Sequence, residues 1–232
     1  MRFDRIPKSL ALIPDGNRRW ARSNGLSVLE GYNFGVNKFI DFSEWCRNYG
    51  INNLTVWALS SENTKRSTHE LHALFNIYRK ACKDKNLINR LEENEIKLNI
   101  ISKSRSIPKD LSLLFKKLED RTENNKKGVI NMLIGYGGKD DIVFAAKKIT
   151  TLVKEGYRIN EEMIKNCLMS FKVPDIDFVI RTSGEIRLSG FMPWQAGYAE
   201  LYFSKKLWPD FTKHDLYNAI SDYNRRERRF GK

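Results

Sequence analysis

The sequence predicts an α/β fold: a mostly parallel six-stranded sheet flanked by helices. Three observations carry that expectation. Six short runs rich in aliphatic, β-branched and aromatic residues recur along the 232 residues, too short to be read as helices. Longer segments with apolar residues at helical spacing separate them. The connections are long enough for crossovers, which sets the strands parallel and the helices on the sheet's faces.

The elements follow in order. Residues 10–13 form an unbroken apolar run closed by Pro14-Asp15-Gly16, and 36–49 place Val36, Phe39 and Ile40 on one helical face. A second strand is expected at 54–59, and one long helix at 68–92, where Leu71, Leu74, Phe75 and Tyr78 keep the i, i+3, i+4, i+7 pattern. A strand at 97–101 and a helix at 109–124 come next, the latter with Leu111, Leu114, Phe115 and Leu118 at the same spacing. The strand at 129–134 runs into Gly135-Tyr136-Gly137-Gly138, and helices follow at 140–155 and 161–169. Strands at 177–180 and 201–203 and a closing helix at 213–228 complete the pattern. No repeat, linker or shift in composition divides the chain, so residues 1–232 are expected to form one domain.

Composition narrows the function classes. Hydrophobic residues make up 41% and charged residues 30%, which excludes disordered and fibrous classes. The formal net charge of +13 favours an anionic partner: a phosphorylated metabolite, a nucleic acid or an anionic membrane. Cys46, Cys82 and Cys167 are odd in number and far apart, with no C-x-x-C pair, which points to a reducing, cytoplasmic compartment. Charges interrupt every window long enough to span a bilayer, and the apolar run at 10–13 is too short for a signal sequence, so membrane contact is expected to be peripheral at most.

The segments after the strands carry the chemistry, because ligands of open parallel sheets bind beyond the strands' carboxyl ends. Four of them, Pro14-Asp15-Gly16-Asn17-Arg18-Arg19-Trp20, Ser60-Ser61-Glu62-Asn63, Gly135-Tyr136-Gly137-Gly138 and Arg181-Thr182-Ser183-Gly184-Glu185-Ile186-Arg187-Leu188-Ser189, are expected to share one rim. Arg19, Arg181 and Arg187 supply guanidinium forks for phosphate oxygens, and the carboxylates Asp15 and Glu200 are candidates to meet and hold Mg²⁺ beside a diphosphate. No G-x-x-x-x-G-K-[ST] occurs, and the Gly135 segment does not fit G-x-G-x-x-G, which argues against a P-loop ATPase and a dinucleotide-binding dehydrogenase. His69-Glu70-Leu71-His72 spaces its histidines three apart rather than the four a zinc helix needs, so it reads as a solvated face. Asp140-Asp141 reads as an acidic helix start. The basic end Arg225-Arg226-Glu227-Arg228-Arg229 lacks any nucleic-acid signature around it, so no specific nucleic-acid partner is expected.

Taken in order, these four segments and Tyr198-Ala199-Glu200-Leu201-Tyr202-Phe203 resemble the cis-prenyltransferase family, the undecaprenyl (polyprenyl) diphosphate synthases, over residues 6–231. The resemblance implies a hydrophobic tunnel enclosed by the sheet and helices. It also implies Mg²⁺-dependent condensation of isopentenyl diphosphate with an allylic prenyl diphosphate, giving a Z-polyprenyl diphosphate, a precursor of lipid carriers of glycans. By the same resemblance Asp15 is the magnesium aspartate, and Gly16, Asn17, Arg18, Arg19 and Trp20 belong to the loop that grips the allylic diphosphate. Arg181, Arg187 and Ser189 match the isopentenyl site, Glu200 the second acidic residue at the metal, and Ser60 and Asn63 polar residues beside the reacting carbons. Arg66 and Glu70 also match. Leu59, Ile101, Leu133 and Phe144 are candidate tunnel walls. Arg229 and Gly231 match a terminal R-x-G that reaches a partner's isopentenyl site, which implies a homodimer.

Three positions depart from the family pattern. Val28 and Tyr32 stand where relatives carry an Arg and a His of the allylic site, and Thr64 where a Trp is common. These changes keep open an irregular, lavandulyl-type coupling of dimethylallyl diphosphate units, whereas Glu62, Asn63 and Glu185 favour the regular reaction. A non-catalytic subunit is the remaining alternative, and retention of Asp15 speaks against it. The paired D-D-x-x-D runs of the all-helical trans-prenyltransferases are absent.

Overall fold

The computed structural model describes residues 3–103 and 106–227. Six strands, β1 (Ser9–Ile13), β2 (Asn53–Ser60), β3 (Ile96–Ile101), β4 (Gly128–Tyr136), β5 (Phe178–Arg181) and β6 (Glu200–Phe203), pair in the order β3-β4-β2-β1-β5-β6. All five pairings are parallel, so the sheet is wholly rather than mostly parallel.

The helices are α1 (Asn17–Ser23), α2 (Val28–Asn48), α3 (Thr68–Ala81), α4 (Lys85–Glu93), α5 (Lys109–Thr122), α6 (Gly138–Lys154), α7 (Glu161–Cys167) and α8 (Lys213–Arg225). The helix expected at 68–92 is two helices. Asp84 ends the run by accepting the amides of Asn86 and Leu87 and starting a new helix as its N-cap. The helix expected from 36 begins at Val28, where Ser27 and Glu30 form a reciprocal capping box. Helix α1 follows β1 where no helix was expected, entered through Gly16 at φ 109°, a left-handed conformation that suits glycine.

Strand alternation sorts the core onto two faces. Leu10, Leu12, Leu54, Val56, Phe178 and Ile180 pack under α2 and α8, and this side continues through Leu98 and Ile134 to α3 and α5. Ala11, Ile13, Trp57, Leu133, Ile101 and Val179 face the other way, against Phe191 and Met192. Register shifts in β2 at Trp57/Leu59 and Leu59/Ser60 break the alternation next to the rim, so Ala58 and Leu59 both turn to the α3 side. Helices α1 and α2 approach closely at Gly35, where an added Cβ would lie 2.2 Å from Asn17 Oδ1.

Candidate active site

A cavity of about 1000 Å³ opens at the carboxyl ends of β1, β2 and β5 and runs along the α2–α3 face of the sheet. Its mouth is polar, lined by Asp15, Gly16, Asn17, Arg18, Arg19, Ser60, Glu62, Asn63, Arg66, Arg181 and Ser189. Its body is apolar, between Val36, Phe39, Val56, Leu59, Leu74 and Leu98, and it reaches Asn52, Asn94 and Gly128 at the other end of the strands. That end is crossed by an ion pair between Arg90 and Glu44. Cys82 also lines the cavity, its thiol pushed up by burial to about 11, so it stays neutral there.

Two clusters of cations flank the mouth. The first sits on the start of α1 and the loops after β1 and β5. Arg181, 5% exposed, donates from Nη2 to Asp15 Oδ2 at 2.9 Å and from Nη1 to the Arg187 carbonyl at 2.6 Å and Ser189 Oγ at 2.9 Å. Arg19 Nη2 lies 3.6 Å from Asp15 Oδ1, and Glu185 bridges Arg19 at 3.4 Å and Arg187 at 2.5 Å. The Thr182 hydroxyl and the Trp208 amide donate to the Asp15 carbonyl, which pins the loop. Ser60 Oγ accepts the Asn63 amide at 3.1 Å, holding the segment after β2.

The second cluster sits on α1, α2 and the start of α3. Tyr32 Oη donates to Glu70 Oε1 at 2.5 Å and accepts from Arg66 Nη1 at 2.5 Å, while Arg66 Nη1 and Arg18 Nε lie 3.2 Å and 3.7 Å from the same Glu70 oxygen. Burial, then the bond to Glu70, raises the Tyr32 phenol above its ordinary range and keeps it a neutral donor. The Nε atoms of Arg18, Arg66 and Arg181 are buried with no hydrogen-bond partner among the described residues. The three arginines themselves line the mouth, a donor set that suits a polyanion.

Several expected members stand elsewhere. Glu200 is level with Phe178 at the start of β6, three residues and about 10 Å along the strand from the rim. There it accepts from Arg226 Nη1 at 2.8 Å and is not brought to Asp15 within the chain. Trp20 donates to Asp210 and packs on Phe34 beside the mouth. Of the proposed tunnel walls only Leu59 lines the cavity: Ile101 and Leu133 belong to the opposite face, and Phe144 is 46% exposed on α6. Arg229 and Gly231 lie outside the described residues. Glu70, in a segment read as a solvated face, is instead the centre of the second cluster, whereas His69 and His72 are exposed.

Residues 13–231 match the family described as "Putative undecaprenyl diphosphate synthase". The chain belongs to the cis-prenyltransferase family. It is 39% identical to an isoprenyl transferase of Thermus thermophilus, over 98% of this chain and 89% of that protein. A tritrans,polycis-undecaprenyl-diphosphate synthase (geranylgeranyl-diphosphate specific) of Sulfurisphaera tokodaii is 40% identical over 97% of this chain and 88% of its own length. Among solved structures, lavandulyl diphosphate synthase from Lavandula x intermedia, in complex with dimethylallyl diphosphate, superposes with a TM-score of 0.92 at 35% identity, covering 97% of this chain and 98% of that one. A probable undecaprenyl diphosphate synthase from Campylobacter jejuni superposes with a TM-score of 0.80 at 29% identity, covering 98% of this chain and all of that one. Members with these names transfer prenyl groups, and this cis-prenyltransferase is an enzyme of that kind.

Proposed function

We propose that the protein condenses isopentenyl diphosphate with an allylic prenyl diphosphate and elongates it to a Z-polyprenyl diphosphate. The observation that carries this is one continuous cavity with an arginine-rich mouth and an apolar body running the length of the sheet. Diphosphates fit the mouth and a growing hydrocarbon fits the body. Arg181, Ser189 and Arg187 hold one diphosphate, and Arg18, Arg19 and Arg66 hold the other, so the two substrates meet in attacking geometry beside Ser60 and Asn63. As the allylic leaving group departs, negative charge grows on its oxygens, where fixed guanidinium donors stabilise it.

The residues fit Mg²⁺. Asp15 is a one-third exposed carboxylate among the arginines of the mouth, and among the described residues no group of three or more His, Cys, Asp or Glu forms a protein cage. Magnesium is commonly held by one or two carboxylates with substrate phosphates completing the shell. When bound, it would neutralise charge on the departing diphosphate.

The similarity to lavandulyl diphosphate synthase supports a second reading, the irregular coupling of two dimethylallyl units. A product of that size would leave most of a cavity of about 1000 Å³ empty, which favours elongation. Solvent-exposed Ile142, Val143 and Phe144 on α6 support a homodimer, within which Arg229 would act on the partner's isopentenyl site. Three buried free cysteines fit a reducing cytoplasm. Among the described residues no helix is long and apolar enough to cross a membrane, and any bilayer contact made in releasing product would be peripheral.

The test is a mass-spectrometric product assay with Mg²⁺, labelled isopentenyl diphosphate and, separately, dimethylallyl, geranyl, farnesyl and geranylgeranyl diphosphates. A ladder in five-carbon steps is the expected result. Product from dimethylallyl diphosphate alone would replace elongation by irregular coupling, and no product from any donor would leave the non-catalytic subunit.

A further inference from the structure

Tyr32 joins the apolar body of the cavity to its polar mouth. Its ring, 7% exposed, packs in the cluster of Leu74, Phe75 and Tyr78, so its hydroxyl is a fixed point at the tunnel's neck. From there Oη holds Glu70 as donor and Arg66 as acceptor, and the Arg66 guanidinium lies 5.9 Å from the ring centroid. Glu70 also faces Arg18. Both arginines line the cavity. Val28, at the start of α2 and packed against the same apolar cluster, adds no charge here.

We propose that Tyr32 is a positioning residue for the diphosphate of the tunnel-bound substrate, holding Glu70 so that the Arg66 and Arg18 guanidinium groups stay at the cavity mouth for the phosphate oxygens. This rests on the transfer reading above. The physical reason is competition for one carboxylate. Glu70 Oε1 is occupied at 2.5 Å by the phenol, which keeps Arg66 Nη1 at 3.2 Å and Arg18 Nε at 3.7 Å. Without Oη, Glu70 loses its nearest donor and Arg66 loses an acceptor, and both losses draw Arg66 onto Glu70 and away from substrate. The second diphosphate, on Arg181 and Ser189, does not touch this cluster.

The experiment is a double-mutant cycle of Tyr32→Phe and Glu70→Gln, with steady-state kinetics for both substrates, calorimetric binding of geranyl diphosphate and inorganic pyrophosphate, and thermal melts. Tyr32→Phe is expected to raise KM for the allylic diphosphate about tenfold, the scale of one charge-assisted hydrogen bond. KM for isopentenyl diphosphate, kcat and Tm should stay near wild type. Adding Glu70→Gln should recover much of the allylic affinity, because a neutral amide does not capture Arg66. An unchanged allylic KM in Tyr32→Phe overturns the proposal, as does a parallel rise of both KM values with a lower Tm, which would mark a purely structural role. If the wild type transfers nothing, the transfer reading fails and the binding comparison decides: weaker geranyl diphosphate binding in Tyr32→Phe sustains the positioning role, and equal binding overturns it.

Discussion

Replacing Asp15 by Asn separates the charge of this carboxylate from its shape. Asp15 accepts from Arg181 Nη2 at 2.9 Å and faces Arg19 at 3.6 Å, and its carbonyl is tied independently by Thr182 and Trp208. The Asn side-chain oxygen can still accept from Arg181, so the stability cost is the difference between a charged and a neutral acceptor, about 1 kcal/mol. For a domain of this size that lowers Tm by about 2–4 °C. Transfer should fall by more than about 10³-fold, or roughly 4 kcal/mol, because the carboxylate proposed to share Mg²⁺ with the diphosphates is gone. Binding of pyrophosphate in the presence of a chelator should move the other way and tighten, since Arg19 and Arg181 no longer share their charge with a carboxylate. Steady-state transfer, calorimetry with EDTA and a thermal melt read the three quantities. Transfer within tenfold of wild type in Asp15→Asn would refute the assignment of Asp15 to the metal, whatever happened to the other two.

Two further substitutions probe the cavity and its frame. Ala81, at the end of α3, lines the cavity, so Ala81→Trp should fill it part-way and shorten the product ladder while Tm stays within a few degrees; an unchanged ladder would mean that the chain does not pass this point. At Gly35 an added methyl would meet Asn17 Oδ1 at 2.2 Å and the Trp208 ring at 3.3 Å. Gly35→Ala should therefore cost about 1–3 kcal/mol and reduce transfer further by displacing Asn17, read by denaturant unfolding and turnover; wild-type stability would show that the α1–α2 approach is not tight.

The parts of the fold legible in the sequence are those set by local pattern. Each expected strand lies within a residue or two of an observed one, because parallel strands buried on both faces leave unbroken apolar runs. The break at Asp84 is hidden in the sequence because the apolar period continues across it from Ile77 and Tyr78 to Ile88, and only the cap interrupts it. The start of α2 has a signal that apolar spacing alone overlooks, the capping-box pair Ser27 and Glu30. The rim residues are legible because strand ends converge by topology. The tunnel walls are not: the β2 register shifts and the choice of sheet face decide that Leu59 lines the cavity and that Leu133 does not. Glu70 is masked by its exposed neighbours His69 and His72, since a helix puts alternate neighbours on different faces.

The two sheet faces also explain why the two cation clusters differ. The loop carrying Arg187 and Ser189 is anchored on the tunnel-free face, where Phe191 and Met192 are buried and the Phe191 ring lies 5.4 Å from that of Trp57. The diphosphate site proposed on this loop would therefore be tied to the sheet itself. Arg18 and Arg66 ride instead on the elements that frame the tunnel, α1 and the turn before α3, with Tyr32 of α2 between them. On the proposed reading, a substrate whose hydrocarbon occupies the tunnel would have its diphosphate within reach of that second set, while a substrate with a short hydrocarbon would need only the sheet-anchored set. The proposed elongation would require the lengthened chain to slide while its new diphosphate returns to the tunnel-side cluster. On the proposed reading, a cluster built on helices packed around that chain would respond to its occupancy, and a sheet-anchored one would not. Filling the tunnel at Ala81 should for that reason weaken binding of long allylic diphosphates and leave isopentenyl diphosphate binding unchanged.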